Sequence, residues 1–289
     1  MIVSTRGDRL TIKAPAKVNL HLEVLGKRAD GYHEIETLMV SVSLYDTLVF
    51  RVQPSGTSVR CSERRLGTGE ENLVTRAIAT MRDETGRSDG IRVTLTKRIP
   101  LSAGLAGGST DAAATLEGLN RLWRLGWSRQ KLVEVSARLG SDVPFFFYTP
   151  AAIGRGRGDE LERFRLGRPL YLVLVCPPEG LSTAAVYRAV KTPKRPVSPW
   201  PLVAALRTGS LATAAQRLHN RLESPATRLS PLVDRLLRSA ERWDCLGYRM
   251  SGSGSAVFAL CASANKARQL GRRLRTRRLG RVFVVRTCH

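Results

Sequence analysis

Ile99-Pro100-Leu101-Ser102-Ala103-Gly104-Leu105-Ala106-Gly107-Gly108-Ser109-Thr110-Asp111-Ala112-Ala113-Ala114-Thr115 is a glycine-rich turn that runs straight into an alanine-rich helix. Gly104, Gly107 and Gly108 lack a Cβ and are free to take positive φ, so their backbone N–H groups can approach an anion closely. The helix that follows turns the positive end of its dipole toward the same point. Such geometry suits a nucleotide triphosphate. A tight strand-to-helix turn also recruits glycine for packing, and the stretch alone leaves both readings open.

Two familiar phosphate loops are excluded by spacing. The P-loop of NTPases ends in Gly-Lys-Ser/Thr, whereas here Ser109 and Thr110 follow the glycines with no lysine. The dinucleotide fingerprint Gly-x-Gly-x-x-Gly fails because Ala106 stands two places after Gly104, and no acidic residue in a βαβ setting follows about 20 residues on.

Composition narrows the class. At 289 residues and 43% hydrophobic content the chain can bury a large core as one large or two modest domains. No segment approaches the apolar length of a membrane span, the best run being 170–176, and residues 1–8 have no apolar core like that of a signal peptide. The expected location is the cytoplasm, with no membrane partner. Cys61, Cys176, Cys245, Cys261 and Cys288 are odd in number, scattered and without a Cys-x-x-Cys pair, which argues against disulfides and structural zinc.

The net charge is +23, and its excess sits in residues 151–289, with 26 basic against 8 acidic side chains. The densest part is Lys266–Arg278, where Ala267, Leu270 and Leu274 recur at helical spacing and arginines fill the other faces. A solvated helix face is favoured over a nucleic-acid surface, because arginine is abundant throughout and no aromatic side chains interleave the run. Attraction of small polyanionic substrates is a simpler use of the charge.

Along the chain, Ala16–Val24 alternates strictly. Val18, Leu20, Leu22 and Val24 are expected on a core face, and Lys17, Asn19, His21 and Glu23 on a face open to chemistry. Strands are also expected over 35–43 and 47–52, and a polar loop over 53–71. A helix over 72–85 has Asn72 as its N-cap, and a strand over 91–97 delivers the chain to the glycine turn. Beyond it the pattern predicts a helix over 128–139 and a strand or turn over 154–162, then a buried strand at 170–176. Helices follow over 182–190, 199–206, 211–220 and 229–243, and a strand–glycine turn–strand over 248–261. The chain ends with a helix over 264–279 and a strand over 281–285. This order predicts an α+β chain of two interlocked lobes rather than a doubly wound sheet, divided near Tyr148–Gly158 into domains 1–155 and 156–289.

Four segments explain one another. Ala14-Pro15-Ala16-Lys17-Val18-Asn19-Leu20, the stretch 99–113, Gly140-Ser141-Asp142-Val143-Pro144-Phe145-Phe146 and Met250-Ser251-Gly252-Ser253-Gly254-Ser255 resemble, in this order, the motifs of the GHMP small-molecule kinases. Gly31-Tyr32-His33 and the spacing of all segments resemble, within that superfamily, the branch acting on a cytidine-diphosphate-linked methylerythritol. The similarity runs from about Thr11 to the end.

The resemblance implies a two-lobed GHMP kinase fold, with an N-terminal lobe like domain 2 of ribosomal protein S5 and a ferredoxin-like C-terminal lobe. It implies ATP and Mg²⁺, and phosphoryl transfer to the small-molecule substrate in the non-mevalonate isoprenoid route. Asp142 matches the family's general base, and partial desolvation beside Val143–Phe147 would strengthen it as a base. Lys17 matches the catalytic lysine, either holding the acceptor hydroxyl or screening charge on the moving phosphoryl group. Pro100, Leu101, Ser102, Ala103, Gly104, Leu105, Ala106, Gly107, Gly108, Ser109 and Thr110 would wrap the triphosphate, the two hydroxyls serving phosphate or Mg²⁺, while Asn72 and Lys97 would lie near the adenine. Metal ligands are otherwise unassigned.

Tyr32 and His33 would read the cytosine, with Tyr187 offering an aromatic face from the opposite side. Asn19 and Asn220 would lie near the catalytic centre or substrate. Three departures from the family pattern stand out. Ala106 replaces glycine and is expected to keep φ negative. Asp111 replaces asparagine and is expected to point away from the nucleotide or to help hold the metal. Arg221 replaces aspartate after Asn220 and is expected to add positive charge beside a negative substrate. Both a monomer and a homodimer remain open.

Overall fold

Apolar side chains at alternate positions carry the chain into unusually long strands within its first fifty residues. A computed structural model describes residues 1–288, and the chain divides into two compact units. One comprises Met1–Ala16, Leu44–Ile99 and Ala106–Phe147; the other comprises Lys17–Ser43, Pro100–Leu105 and the chain from Tyr148 onward.

The first unit begins with β1 (Ile2–Arg6), which pairs antiparallel with the first part of β2 (Arg9–Lys27). The second part of β3 (His33–Gln53) belongs to it, as do β4 (Thr57–Cys61), α1 (Leu73–Thr85), β5 (Gly90–Thr96), α2 (Gly107–Leu122) and α3 (Arg129–Ala137). β5 lies between β3, antiparallel with Phe50 opposite Val93, and β4, parallel. The expected strands 35–43 and 47–52 are one strand, β3, running through Asp46. The expected loop 53–71 contains β4, an edge strand whose mixed composition carries no alternation and which is held by backbone pairing to β5.

Asn72 caps α1 as expected, its Oδ1 accepting from Val74 N at 3.0 Å, and Val74, Ala77, Ile78 and Met81 form the buried stripe. α2 is buried on several sides because its side chains are small. Gly118 lies so close to Phe50 that an added Cβ would stand 2.9 Å from the ring. Pro144–Phe147 forms a buried single turn in which Phe145 and Phe146 meet edge to face.

In the second unit, β6 (Ala151–Arg155) pairs antiparallel with the first part of β3 and with β7 (Glu160–Arg163). After β8 (Tyr171–Cys176) come α4 (Thr183–Ala189), α5 (Trp200–Thr208) and α6 (Leu211–Gln216). β9 (His219–Asn220), α7 (Glu223–Leu229), α8 (Pro231–Ala240), β10 (Gly247–Met250), β11 (Val257–Cys261), α9 (Ala264–Thr276) and β12 (Arg281–Arg286) follow. The sheet β10-β11-β8-β12 is antiparallel throughout, and one face packs Val173, Val175, Val257 and Ala259 against Val233 and Leu236 of α8 and Ala267, Leu270 and Leu274 of α9. This strand order and helix placement are ferredoxin-like, as expected.

Two helices differ from the sequence pattern. The one expected over 211–220 ends at Gln216, because His219 and Asn220 pair in parallel with His21 and Leu22 of β2. The one expected over 229–243 is the shorter α8, which starts at Pro231 with Ser230 as its cap, accepting from Val233 N, and ends at Ala240; α7, just before it, is not expected from the pattern. On α9 the apolar stripe is buried and Arg268, Arg272, Arg273 and Arg275 are exposed. Among the described residues no helix is long and apolar enough to cross a membrane.

Candidate active site

The polar face of β2 differs from expectation. Lys17, Asn19, His21 and Glu23 are buried, because each is taken up by hydrogen bonds or packing within the second unit. Lys17 Nζ donates to Asn19 Oδ1 at 2.7 Å; Asn19 Nδ2 donates to Thr37 Oγ1 at 2.9 Å, and that hydroxyl donates to the carbonyl of His21 at 2.7 Å. The relay fixes the asparagine amide so that its oxygen faces the lysine.

The 250–255 turn backs onto this pair. Asn220 Nδ2 donates to the carbonyls of Met250 and Gly252, both at 2.8 Å, and Glu223 Oε1 accepts from Met250 N at 2.7 Å. Gly252 sits at φ 56°, and a Cβ there would lie 3.3 Å from both Lys17 Nζ and Asn19 Oδ1. Ser251 Oγ donates to the carbonyl of Gly104 at 3.0 Å and accepts from Asn19 N at 3.3 Å, while Lys17 N donates to the carbonyl of Leu105 at 3.1 Å. Gly104, at φ 72°, is glycine because any Cβ would collide with the Ser251 carbonyl. The segment Pro100–Leu105 is anchored further by Ala256 N to Ala103 O and Leu181 N to Ser102 O.

The start of α2 lies in the first unit and is built differently from expectation. Ala106 is at φ 54°, in the left-handed region that its Cβ disfavours, and as N-cap it supplies no side-chain hydrogen bond. Gly107 and Gly108 are ordinary helical residues rather than positive-φ ones. They are small because a Cβ on Gly107 would meet Ile99 Cγ2 at 3.0 Å and Lys97 Nζ at 3.1 Å, and one on Gly108 would meet Leu73 Cδ1 at 3.2 Å.

Lys97 is buried between two carboxylates. Its Nζ bonds Asp46 Oδ2 and, at 2.6 Å, Asp111 Oδ2; Asp46 Oδ1 also accepts from the amides of Arg98 and Ile99. Burial works against the ammonium, but Asp111 and Asp46 outweigh it and hold Lys97 above its ordinary range. Burial, reinforced by the negative charge of Asp46, pushes Asp111 up to about 8 despite Lys97. Asp111 turns one oxygen to Lys97, while its Oδ1 and the neighbouring Thr110 Oγ1 are buried without a hydrogen-bond partner. Asn72, besides capping α1, donates from Nδ2 to the carbonyl of Gly67 at 3.1 Å. Asp142 is partly buried in the turn closed by Val143 N to Gly140 O, ahead of the phenylalanine cluster.

Of the aromatic residues, His33 and Tyr187 pack with ring centres 5.2 Å apart, whereas Tyr32 is more than half exposed and lies under the Arg157 guanidinium at 5.0 Å. Arg221 differs from expectation. Its charge is matched by Glu23, whose buried carboxylate accepts from Arg221 Nε and Nη2, each at 2.7 Å, from Val197 N at 2.8 Å and from Val24 N at 2.9 Å. Burial would raise the Glu23 carboxyl, but these donors and His219 hold it well below the usual carboxylate range.

Sequence reasoning missed Asp46, Thr37 and the clustering on Glu23. The available signal for Asp46 was a lone acid between two apolar runs. Among the described residues no group of three or more His, Cys, Asp or Glu is arranged to hold a metal ion. A divalent cation bound largely through phosphate oxygens, with one or two protein groups, fits such a donor set.

Comparison with known proteins places the chain in a family. Residues 72–149 match the signature of the GHMP kinases N terminal domain, and residues 202–278 that of the GHMP kinases C terminal domain. The chain belongs to the GHMP kinases. It is 44% identical to a 4-diphosphocytidyl-2-C-methyl-D-erythritol kinase of Pelotomaculum thermopropionicum, covering 96% of this chain and 98% of that one. It is 39% identical to the enzyme of that name in Mycolicibacterium gilvum, covering 91% and 85%. Within the superfamily it belongs to the family of these kinases. A crystal structure of 4-(cytidine 5'-diphospho)-2C-methyl-D-erythritol kinase superposes with a TM-score of 0.83 at 36% identity, covering 96% of this chain and 99% of that one. The mevalonate kinase of L. major shares the fold alone, with a TM-score of 0.77 at 16% identity over 99% and 98% of the two chains.

Proposed function

We propose that this chain transfers the γ-phosphoryl group of ATP to the 2-hydroxyl of 4-diphosphocytidyl-2-C-methyl-D-erythritol, a step of the non-mevalonate route to isoprenoid precursors. The observation that carries the reading is the Lys17–Asn19 pair, fixed on a buried strand face and backed by the Gly252 turn, in a chain whose near-full-length relatives bear that name.

Phosphoryl transfer asks a protein mainly for positioning and charge neutralisation. In the proposed reaction the 2-hydroxyl oxygen attacks the γ-phosphorus, the bond to ADP breaks, and the hydroxyl proton passes to the Asp142 carboxylate. Lys17, oriented by Asn19, holds the acceptor hydroxyl or screens charge on the moving phosphoryl group. Residues 100–110 receive the triphosphate, with Asn72 and Lys97 on the adenine side. Mg²⁺, when bound, supplies charge neutralisation across the phosphates, and Ser109 and Thr110 are its candidate protein contacts. Tyr32, His33 and Tyr187 recognise the cytosine, Asn220 acts through the turn that it holds, and the enzyme works in the cytoplasm.

The test is ADP release from ATP and Mg²⁺ with each candidate acceptor. Turnover is expected with the cytidyl alcohol and not with mevalonate or homoserine. Turnover with either of those instead, or none with any acceptor, overturns the reading.

A further inference from the structure

The two carboxylates that share Lys97 do unequal work. Asp111 engages Lys97 through one oxygen and leaves the other without a partner, whereas Asp46 engages both. Its Oδ2 takes the Lys97 ammonium, and its Oδ1 takes the amides of Arg98 and Ile99, at 2.9 Å for the latter. Three consecutive residues are thus held by a single side chain 51 to 53 residues away in β3. They are the last residues before the glycine segment. Lys97 then reaches Asp111 in the first turns of α2, and its ammonium packs so close to Gly107 that a Cβ there would stand 3.1 Å from it.

The start of α2 needs such a tether. The first amides of a helix have no intrahelical partner and are usually gathered by an N-cap side chain. Ala106 provides none, so no cap side chain gathers those amides. A ligand bound by backbone amides loses hydrogen bonds when they are displaced, and a misplacement of about 1 Å can also cost about a hundredfold in rate.

We infer that Asp46 is a positioning residue for nucleotide binding: it locks the strand exit at Lys97–Ile99 and, through Lys97 and Asp111, the first turns of α2. Asp46 itself touches no ligand in this scheme, and Lys97 serves as a tie between strand and helix. The inference rests on the reading that residues 100–110 bind ATP.

ATP binding to the full chain without acceptor, measured by calorimetry, is compared for the wild type, Asp46→Asn and Asp46→Ala, together with KM for both substrates and the unfolding temperature. Asp46→Asn keeps an oxygen for the Arg98 and Ile99 amides and loses the charge on Lys97; Asp46→Ala loses both. The expected result is ATP affinity weaker by about fivefold in Asp46→Asn and by about tenfold or more in Asp46→Ala, with KM for the acceptor within about twofold. Should Asp46→Ala fail to fold, Asp46→Asn carries the comparison alone. A folded Asp46→Asn that binds ATP within about twofold of wild type, or a parallel rise of both KM values, overturns the inference and leaves the kinase reading intact. A wild type that binds no ATP overturns both.

Discussion

Asn220 Nδ2 donates to the carbonyl of Gly252 at 2.8 Å, and Gly252 in turn leaves room for Lys17 Nζ, which a Cβ would approach to 3.3 Å. A side chain of β9 therefore controls the space around an ammonium on β2 through a turn that neither strand contains. Gly252→Ala adds a methyl group against Lys17 and Asn19 at a positive φ. It is expected to lower kcat by about tenfold or more while the protein stays folded. Steady-state rates and circular dichroism on the same preparation check this. An unchanged kcat would mean that the turn is only a connector.

Asp142→Asn and Lys17→Ala address the proposed chemistry directly. Removing the proton acceptor is expected to lower kcat by about a hundredfold or more, with KM for ATP little changed. Lys17→Ala also leaves Asn19 Oδ1 without its donor, so a moderate loss of stability should accompany its loss of rate. If Asp142→Asn stays within a few-fold of wild type, the base is another group.

Ala106 offers a prediction of opposite sign. Its left-handed backbone is disfavoured by about 1 kcal/mol for a residue with a Cβ, and glycine removes that cost while giving back part of it in unfolded-chain entropy. Ala106→Gly is expected to raise the unfolding temperature by about 1–2 °C, as scanning calorimetry can read. A lower temperature would show that the alanine methyl packs more favourably than its backbone is strained.

His21 should make stability depend on pH. Its ring is buried, and burial, with the neighbouring His219, lowers its pKa from 6.5 to about 4, against the opposing pull of Glu23 and the Val197 backbone. As pH falls below 6.5 the unfolded chain takes up a proton that the folded protein refuses until about 4, so stability is lost across that window. The loss is about 3 kcal/mol at most. His21→Leu should flatten the unfolding temperature between those pH values. The Glu23 carboxylate contributes in a separate window, below its ordinary pKa of 4.5. An identical slope in wild type and variant would locate the pH dependence elsewhere.

Much of the fold was legible because local chemistry and tertiary structure agreed. The alternation over 16–24, the Asn72 cap and the alanine-rich helix after the glycines each depend on residues within one or two turns of one another. What escaped depends on distant partners. Asp46 acquires meaning only from three groups more than fifty residues away, and Arg221 changes from a charge offered to substrate into the partner of Glu23 only once β9 lies beside β2. The burial of Lys17 and Asn19 was hidden for the same reason, since a period of two marks two faces of a strand without saying what covers the second. The left-handed Ala106 contradicts its own propensity, and no local pattern announces a residue held against its preference.

β2 and β3 each contribute residues to both compact units, and the chain changes unit again inside the glycine segment. No uninterrupted length of coding sequence therefore corresponds to either unit. Recombination at a single point cannot exchange one of them for a foreign version, nor can a truncated gene express one alone. New acceptor specificities on such a scaffold have to arise by substitution and loop insertion within an intact reading frame, rather than by trading modules.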